Sequence, residues 1–172
     1  MNQKMFRRMI FTRADAVLEI LGYVFLLAAF SVAAVACATG ARIPEKFDDA
    51  GNIIKYGSPG ILFLMPAMLL PCNLLFSLVL HLSNPNTWNR PIEPRPGREI
   101  VVYRDMVRMQ TVIELLFGIY GLAFCLVMYR GIRGAMVPLS VLLILGIIGD
   151  IAGMLAVAAR HNRMKASGGT NG

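Results

Sequence analysis

Four long apolar stretches divide the chain, at about residues 16–39, 59–82, 109–129 and 136–159. Within them apolar residues follow one another in blocks, not at the period of an amphipathic helix or a half-buried strand, and this sets aside a water-soluble core. Each block reaches the roughly 20 residues that a helix needs to cross a hydrocarbon layer about 30 Å thick. The pattern therefore predicts an all-α fold, an integral membrane four-helix bundle. A single domain covers 1–166, and a glycine-rich polar tail at 167–172 is read as disordered.

The segments between the blocks carry their own signals. The first, 42–58, mixes acids and bases around Asp49-Ala50-Gly51-Asn52, a strong turn sequence. Phe47 on one side and Ile53, Ile54 and Tyr56 on the other predict a tight hairpin lying on one end of the bundle. Phe47, Asp48, Asp49, Gly51 and Tyr56 are its candidate contact residues. The acids lack the alternating spacing and terminal Glu of a calcium loop. The second segment holds Pro85, Pro91, Pro94 and Pro96 among arginines and reads as extended. From about Glu99 a helical pattern resumes, as an interfacial turn leading into the third span. The third segment, Arg130 to Gly134, is so short that the helices it joins must be antiparallel neighbours. Residues 1–15 alternate basic and apolar side chains, giving a short interfacial helix or a basic tail; the block after them is too long for a cleaved leader.

Inside the spans, small residues mark expected contacts. Ala28, Ala29, Ser31, Ala33, Ala34, Ala36 and Ala38 give the first helix a face that can approach another closely. Gly149 and Gly153 form a Gly-xxx-Gly pair in the fourth. Pro59 suits a first helical turn, whereas Pro66 and Pro71 are expected to bend the second span.

Fifty-six per cent of the chain is hydrophobic and its formal net charge is +7. Twelve of the 17 Lys and Arg lie in the N-terminal, second-loop and C-terminal segments, and five in the other two loops. By the positive-inside rule both termini are cytoplasmic and the first loop is extracytoplasmic. The charge thus points to the lipid bilayer and its anionic headgroups as partner, not to nucleic acid. A second membrane protein, or a further copy of the chain, is the other expected partner. Cys37, Cys72 and Cys125 each fall inside an apolar block without paired spacing. They read as packing or lipid-facing residues. His81 and His161 stand alone near span ends. No metal site, cofactor or catalytic group follows from them, and the chain is read as a non-enzyme.

Ile43-Pro44, Phe47, Gly51 and Tyr56-Gly57-Ser58, followed by an apolar span with an early proline, resemble a bacterial membrane-domain family of unknown function. That domain also forms the N-terminal part of SdpI-type immunity proteins. Asn84-Pro85 through Trp88-Asn89 and Pro91 resembles the family's next connector. The likeness covers roughly the first 110 residues, with Lys46 where a His commonly stands. It implies a multi-pass protein of the bacterial cytoplasmic membrane, with an immunity, sensor or accessory role.

Four polar groups inside the spans are the candidate site residues: Asp150, Asn73, Glu114 and Glu19. At 1.5 Å per residue, Asn73 and Asp150 both lie roughly 21 Å below the hairpin end, and the two Glu deeper still. A polar funnel open to the cytoplasm explains this placement, as do separate interfacial positions for the two Glu. An ionised Asp well inside a span costs about 2.5–3.5 kcal/mol. Asp150 is therefore expected to face the bundle, with Asn73 as its partner, either fixing the packing or relaying a proton or cation. Glu19, early in its helix, is read as structural and favoured by the helix dipole. Two functions remain open: a partner-binding, immunity, sensor or accessory protein, or a small oligomeric transporter or channel subunit that uses Asp150.

Overall fold

The computed structural model describes residues 3–48, 52–84, 88, 91–132 and 134–164, with the backbone alone for 3–5, 7 and 47. Asp49, Gly51 and the 167–172 tail lie outside the described residues. The chain runs α1 (Gln3–Ile10), α2 (Arg13–Ala38), β1 (Ile43–Phe47), β2 (Ile53–Gly57), a 3-10 turn (Pro59–Phe63), α3 (Leu64–Leu82), α4 (Glu99–Arg130) and α5 (Met136–Arg163). Four of these helical segments, 13–38, 59–82, 99–130 and 136–163, are long and apolar enough to cross a membrane. Their lipid-facing surfaces stay apolar: Leu27, Met68, Leu82, Val137 and Leu142 are each about two-thirds exposed or more. The protein is built as a polytopic membrane protein.

α4 is the central helix, and α2, α3 and α5 each pack on it. Its buried residues Tyr103, Val107, Thr111, Glu114, Gly118, Gly121 and Cys125 recur at steps of three and four. α2 answers with Asp15, Gly22, Leu26, Ala29, Ala33 and Ala36. Such a seam keeps one narrow stripe turned toward a partner helix. The two stripes touch where Gly22 meets Gly118: a Cβ built on Gly118 lies 2.3 Å from the Gly22 carbonyl oxygen. Only glycine permits that approach.

The helix boundaries have local causes. Thr12 and Asp15 form a capping box at the start of α2: Asp15 N–H donates to Thr12 Oγ1 at 3.3 Å, and Thr12 N–H to Asp15 Oδ2 at 2.7 Å. Pro66 does not interrupt a helix as expected. The backbone from Pro59 to Phe63 is a 3-10 turn, so Pro66 falls in the first turn of α3, where no intrahelical donor is lost. Pro71 is the proline inside α3. The third span does not begin with a separate interfacial turn: α4 is continuous from Glu99. α4 ends at Gly131, whose φ of 61° is the left-handed cap that starts the short turn into α5. α1 is helical and docks on α4, with Ile10 in the core beside Leu80, Tyr103 and Val107.

The predicted hairpin forms. β1 and β2 pair antiparallel, with Ile43 opposite Gly57 and Phe47 opposite Ile53, and with irregular register between. Asp48 holds the turn: it accepts the Asn52 backbone N–H at 2.6 Å and the Asn52 side-chain amide at 3.0 Å. Tyr56 is half exposed. Below the hairpin, Ala29, Ala33, Ala36, Ile43, Leu62 and Cys125 form a completely buried apolar layer. Cys37 and Cys72 are exposed on the apolar surface.

Candidate functional site

Between that layer and the core at the other end lies a polar layer, contributed by three helices. Its most exposed member is His81, in the last turn of α3. His81 Nε2–H donates to both carboxylate oxygens of Glu19 on α2, at 3.0 and 2.9 Å. Ser77, one turn back along α3, donates its hydroxyl to Glu19 Oε1 at 2.6 Å. Tyr23, one turn further along α2, donates in turn to Ser77 at 2.7 Å. The file thus runs imidazole, carboxylate, hydroxyl, phenol. Side-chain exposure falls from 47% at His81 to 12% at Glu19, so the file leads inward from the bundle's end.

Glu114 of α4 lies at the inner end, within electrostatic reach of Glu19 and Tyr23. It is completely buried, and neither carboxylate oxygen forms a hydrogen bond among the described residues, because the Ser77 hydroxyl beside it donates to Glu19. Asn73, two turns from His81 on the same face of α3, donates its amide to the Glu114 backbone carbonyl at 3.2 Å. Its Oδ1 is buried and unbonded as well. With both acids ionised the layer holds two negative charges against, at most, the one on His81. Asp15 of α2 and Arg108 of α4, further along the same two helices, are spent on each other: Arg108 Nε donates to Asp15 and Arg108 Nη2 to Thr12. An ionised carboxylate buried without a partner is costly, and a proton or a small cation satisfies it.

The mouth is a cavity of about 280 Å³ lined by Arg8, Ile10, Phe11, Leu80, His81 and Val107. Phe11 meets the His81 ring edge-on, with centroids 4.9 Å apart. On the far side the apolar layer under the hairpin closes the path. Among the described residues no group of three or more His, Cys, Asp or Glu side chains is placed to hold a metal ion.

Three of the four expected site residues therefore converge: Glu19, Glu114 and Asn73. Glu19 is not a lone acid at a helix start but the hub of the file, and His81 is its partner. Asp150 stands apart. α5 packs on α4, and Asn73 is committed to the Glu114 carbonyl, so the expected Asn73–Asp150 pair does not form. Asp150 is half-buried on α5, with Oδ2 buried and unbonded. Equal depth put the two residues together in the sequence reading, but depth leaves rotation about the bundle open. Ser77 and Tyr23 were not foreseen. Their signal is spacing: Asn73, Ser77 and His81 stand four apart, as do Glu19 and Tyr23.

Comparison with protein families, with curated proteins and with solved structures yields no match to this chain.

Proposed function

We propose that this chain is a non-enzymatic membrane protein of the sensor or accessory kind, which takes up a proton at Glu114 through the His81–Glu19–Ser77–Tyr23 file. One observation carries the reading: a completely buried carboxylate with no formed hydrogen bond on either oxygen, beside the Ser77 hydroxyl of a hydrogen-bonded file that reaches the surface. Uptake without passage is favoured over transport, because the apolar layer beneath the hairpin offers no continuation. The charge distribution supports an orientation with both termini cytoplasmic, so the proton comes from the cytoplasm. The resemblance to the membrane domain of SdpI-type proteins fits a partner-binding role, with the Ile43–Gly57 hairpin as the contact surface.

Two measurements test this. In lipid nanodiscs, infrared difference spectra across a pH titration should contain a carboxylic-acid C=O band that disappears in Glu114→Gln and shifts in His81→Ala. A band unaffected by Glu114→Gln would sink the assignment. For the orientation, an impermeant thiol reagent outside intact cells should label Lys55→Cys and spare Arg95→Cys, both made in a background lacking the native cysteines. The opposite pattern reverses the threading.

A further inference from the structure

Glu19 and Glu114 belong to the polar file, but the basic end of α5 has a separate geometry. Arg160 and Arg163 are exposed, three residues apart in the last turns of α5. Neither guanidinium has an ion-pair or hydrogen-bond partner among the described residues. Their neighbours at this end are engaged. Arg104 donates to the Met9 carbonyl at 2.8 Å, Arg98 to the Met164 carbonyl at 2.9 Å, and Arg108 to Asp15.

The two free guanidinium groups flank an open cavity of about 520 Å³, whose remaining walls are Ala156, Ala159 and Met164. Toward the middle of the span the same face of α5 is open and made of small residues. A Cβ built on Gly149 or Gly153 meets nothing within 4 Å, and Ala156 is exposed beside them. From Gly149 to Arg160 this open face runs about 16 Å along the helix axis. It is apolar and faces the surface that lipid covers, while its end carries two cationic forks suited to phosphate oxygens.

We propose that this face binds an anionic phospholipid, its phosphate held between Arg160 and Arg163 and one acyl chain lying along Gly149, Gly153 and Ala156. Charge complementarity selects this occupant. A second copy in the same membrane orientation would bring its own Arg160 and Arg163 against this pair, and like charges repel. Free phosphate fills the cationic end and leaves the open apolar face uncovered.

The test is native mass spectrometry of the full chain, delipidated in a neutral maltoside detergent. The probes are dioleoylphosphatidylglycerol, dioleoylphosphatidylcholine and inorganic phosphate. At about 1 kcal/mol per arginine, R160Q/R163Q should bind phosphatidylglycerol about thirtyfold more weakly and phosphatidylcholine unchanged. R160K/R163K, which keeps the charge and loses the forks, should fall between. A156F, which puts a ring into the cavity and keeps the arginines, should weaken phosphatidylglycerol too. R42Q/R130Q, which removes the same charge at the hairpin end, should not. The proposal is overturned if R160Q/R163Q binds phosphatidylglycerol like the unaltered chain, or if R42Q/R130Q loses as much. Inorganic phosphate displacing the lipid at equal concentration would overturn it as well. So would a doubled mass that A156F returns to a monomer, since a second copy would then cover this face.

Discussion

Gly118 stands where α4 passes closest to α2, and the contact is backbone against backbone. A methyl group there has no flexible neighbour to push aside, so Gly118→Ala must move a helix. We expect it to cost about 1–3 kcal/mol, as overpacking does in tight cores. Gly153→Ala, in open space, should stay within about 0.5 kcal/mol of the unaltered chain. Unfolding in detergent followed by circular dichroism checks both; equal effects would contradict the close crossing. The sequence reading took the Gly149–Gly153 pair for a packing face, whereas the structure puts the tight contact at Gly22 and Gly118. A small residue is equally suited to a neighbouring helix and to bare lipid, so composition alone does not choose between them. Of the small residues expected to pack, Ala29, Ala33 and Ala36 are buried, whereas Ser31, Ala34 and Ala38 on the same stretch of α2 are exposed. Asp15 was missed, although Thr12-x-x-Asp15 is a legible capping sequence.

Among the elements, α5 differs from the other three. Ala158 is its one buried residue among those described, and its polar ties to the bundle are to α4 and the preceding loop. His161 meets Asp105 at 2.8 Å and Tyr120 meets Ser140 at 3.1 Å. Asn162 clips the loop, donating to the Glu93 carbonyl at 2.9 Å and accepting the Arg95 N–H at 2.7 Å. Asp150 adds no formed hydrogen bond through Oδ2, so Asp150→Asn loses no such contact and removes an acid from the span. Its stability should match or slightly exceed that of the unaltered chain, within about 1 kcal/mol. A loss of several kcal/mol in the same detergent melt would mean that Asp150 holds the helix in place. The element plan was readable from sequence because bilayer thickness dictates block length, and because Arg130 to Gly134 leaves no freedom in how α5 returns. Which face of α5 turns inward was not readable: lipid is as apolar as the core, so apolar residues do not report the buried side. The informative stripe is made of small and polar residues, as α2 and α4 illustrate.

Across the whole molecule, the buried stripes change character from one end to the other. Asp15, Glu19, Glu114, Asn73 and Thr111 occupy the half nearer the termini, while Ala29, Ala33, Ala36, Leu62 and Cys125 fill the half beneath the hairpin. The sequence showed this as a depth ordering of polar groups, and three of the four candidates do meet. The fourth, Asp150, shares the expected depth of Asn73 but forms no hydrogen bond with the group. The apolar half has a physiological consequence. On the proposed uptake at Glu114, a well with a floor stores charge without draining any, so high expression should leave the cell's electrical gradient undiminished. A potential-sensitive dye will read this directly. Depolarisation that vanished in Glu114→Gln would instead reveal a leak through Ala33 and Leu62, where a current has no wet footing.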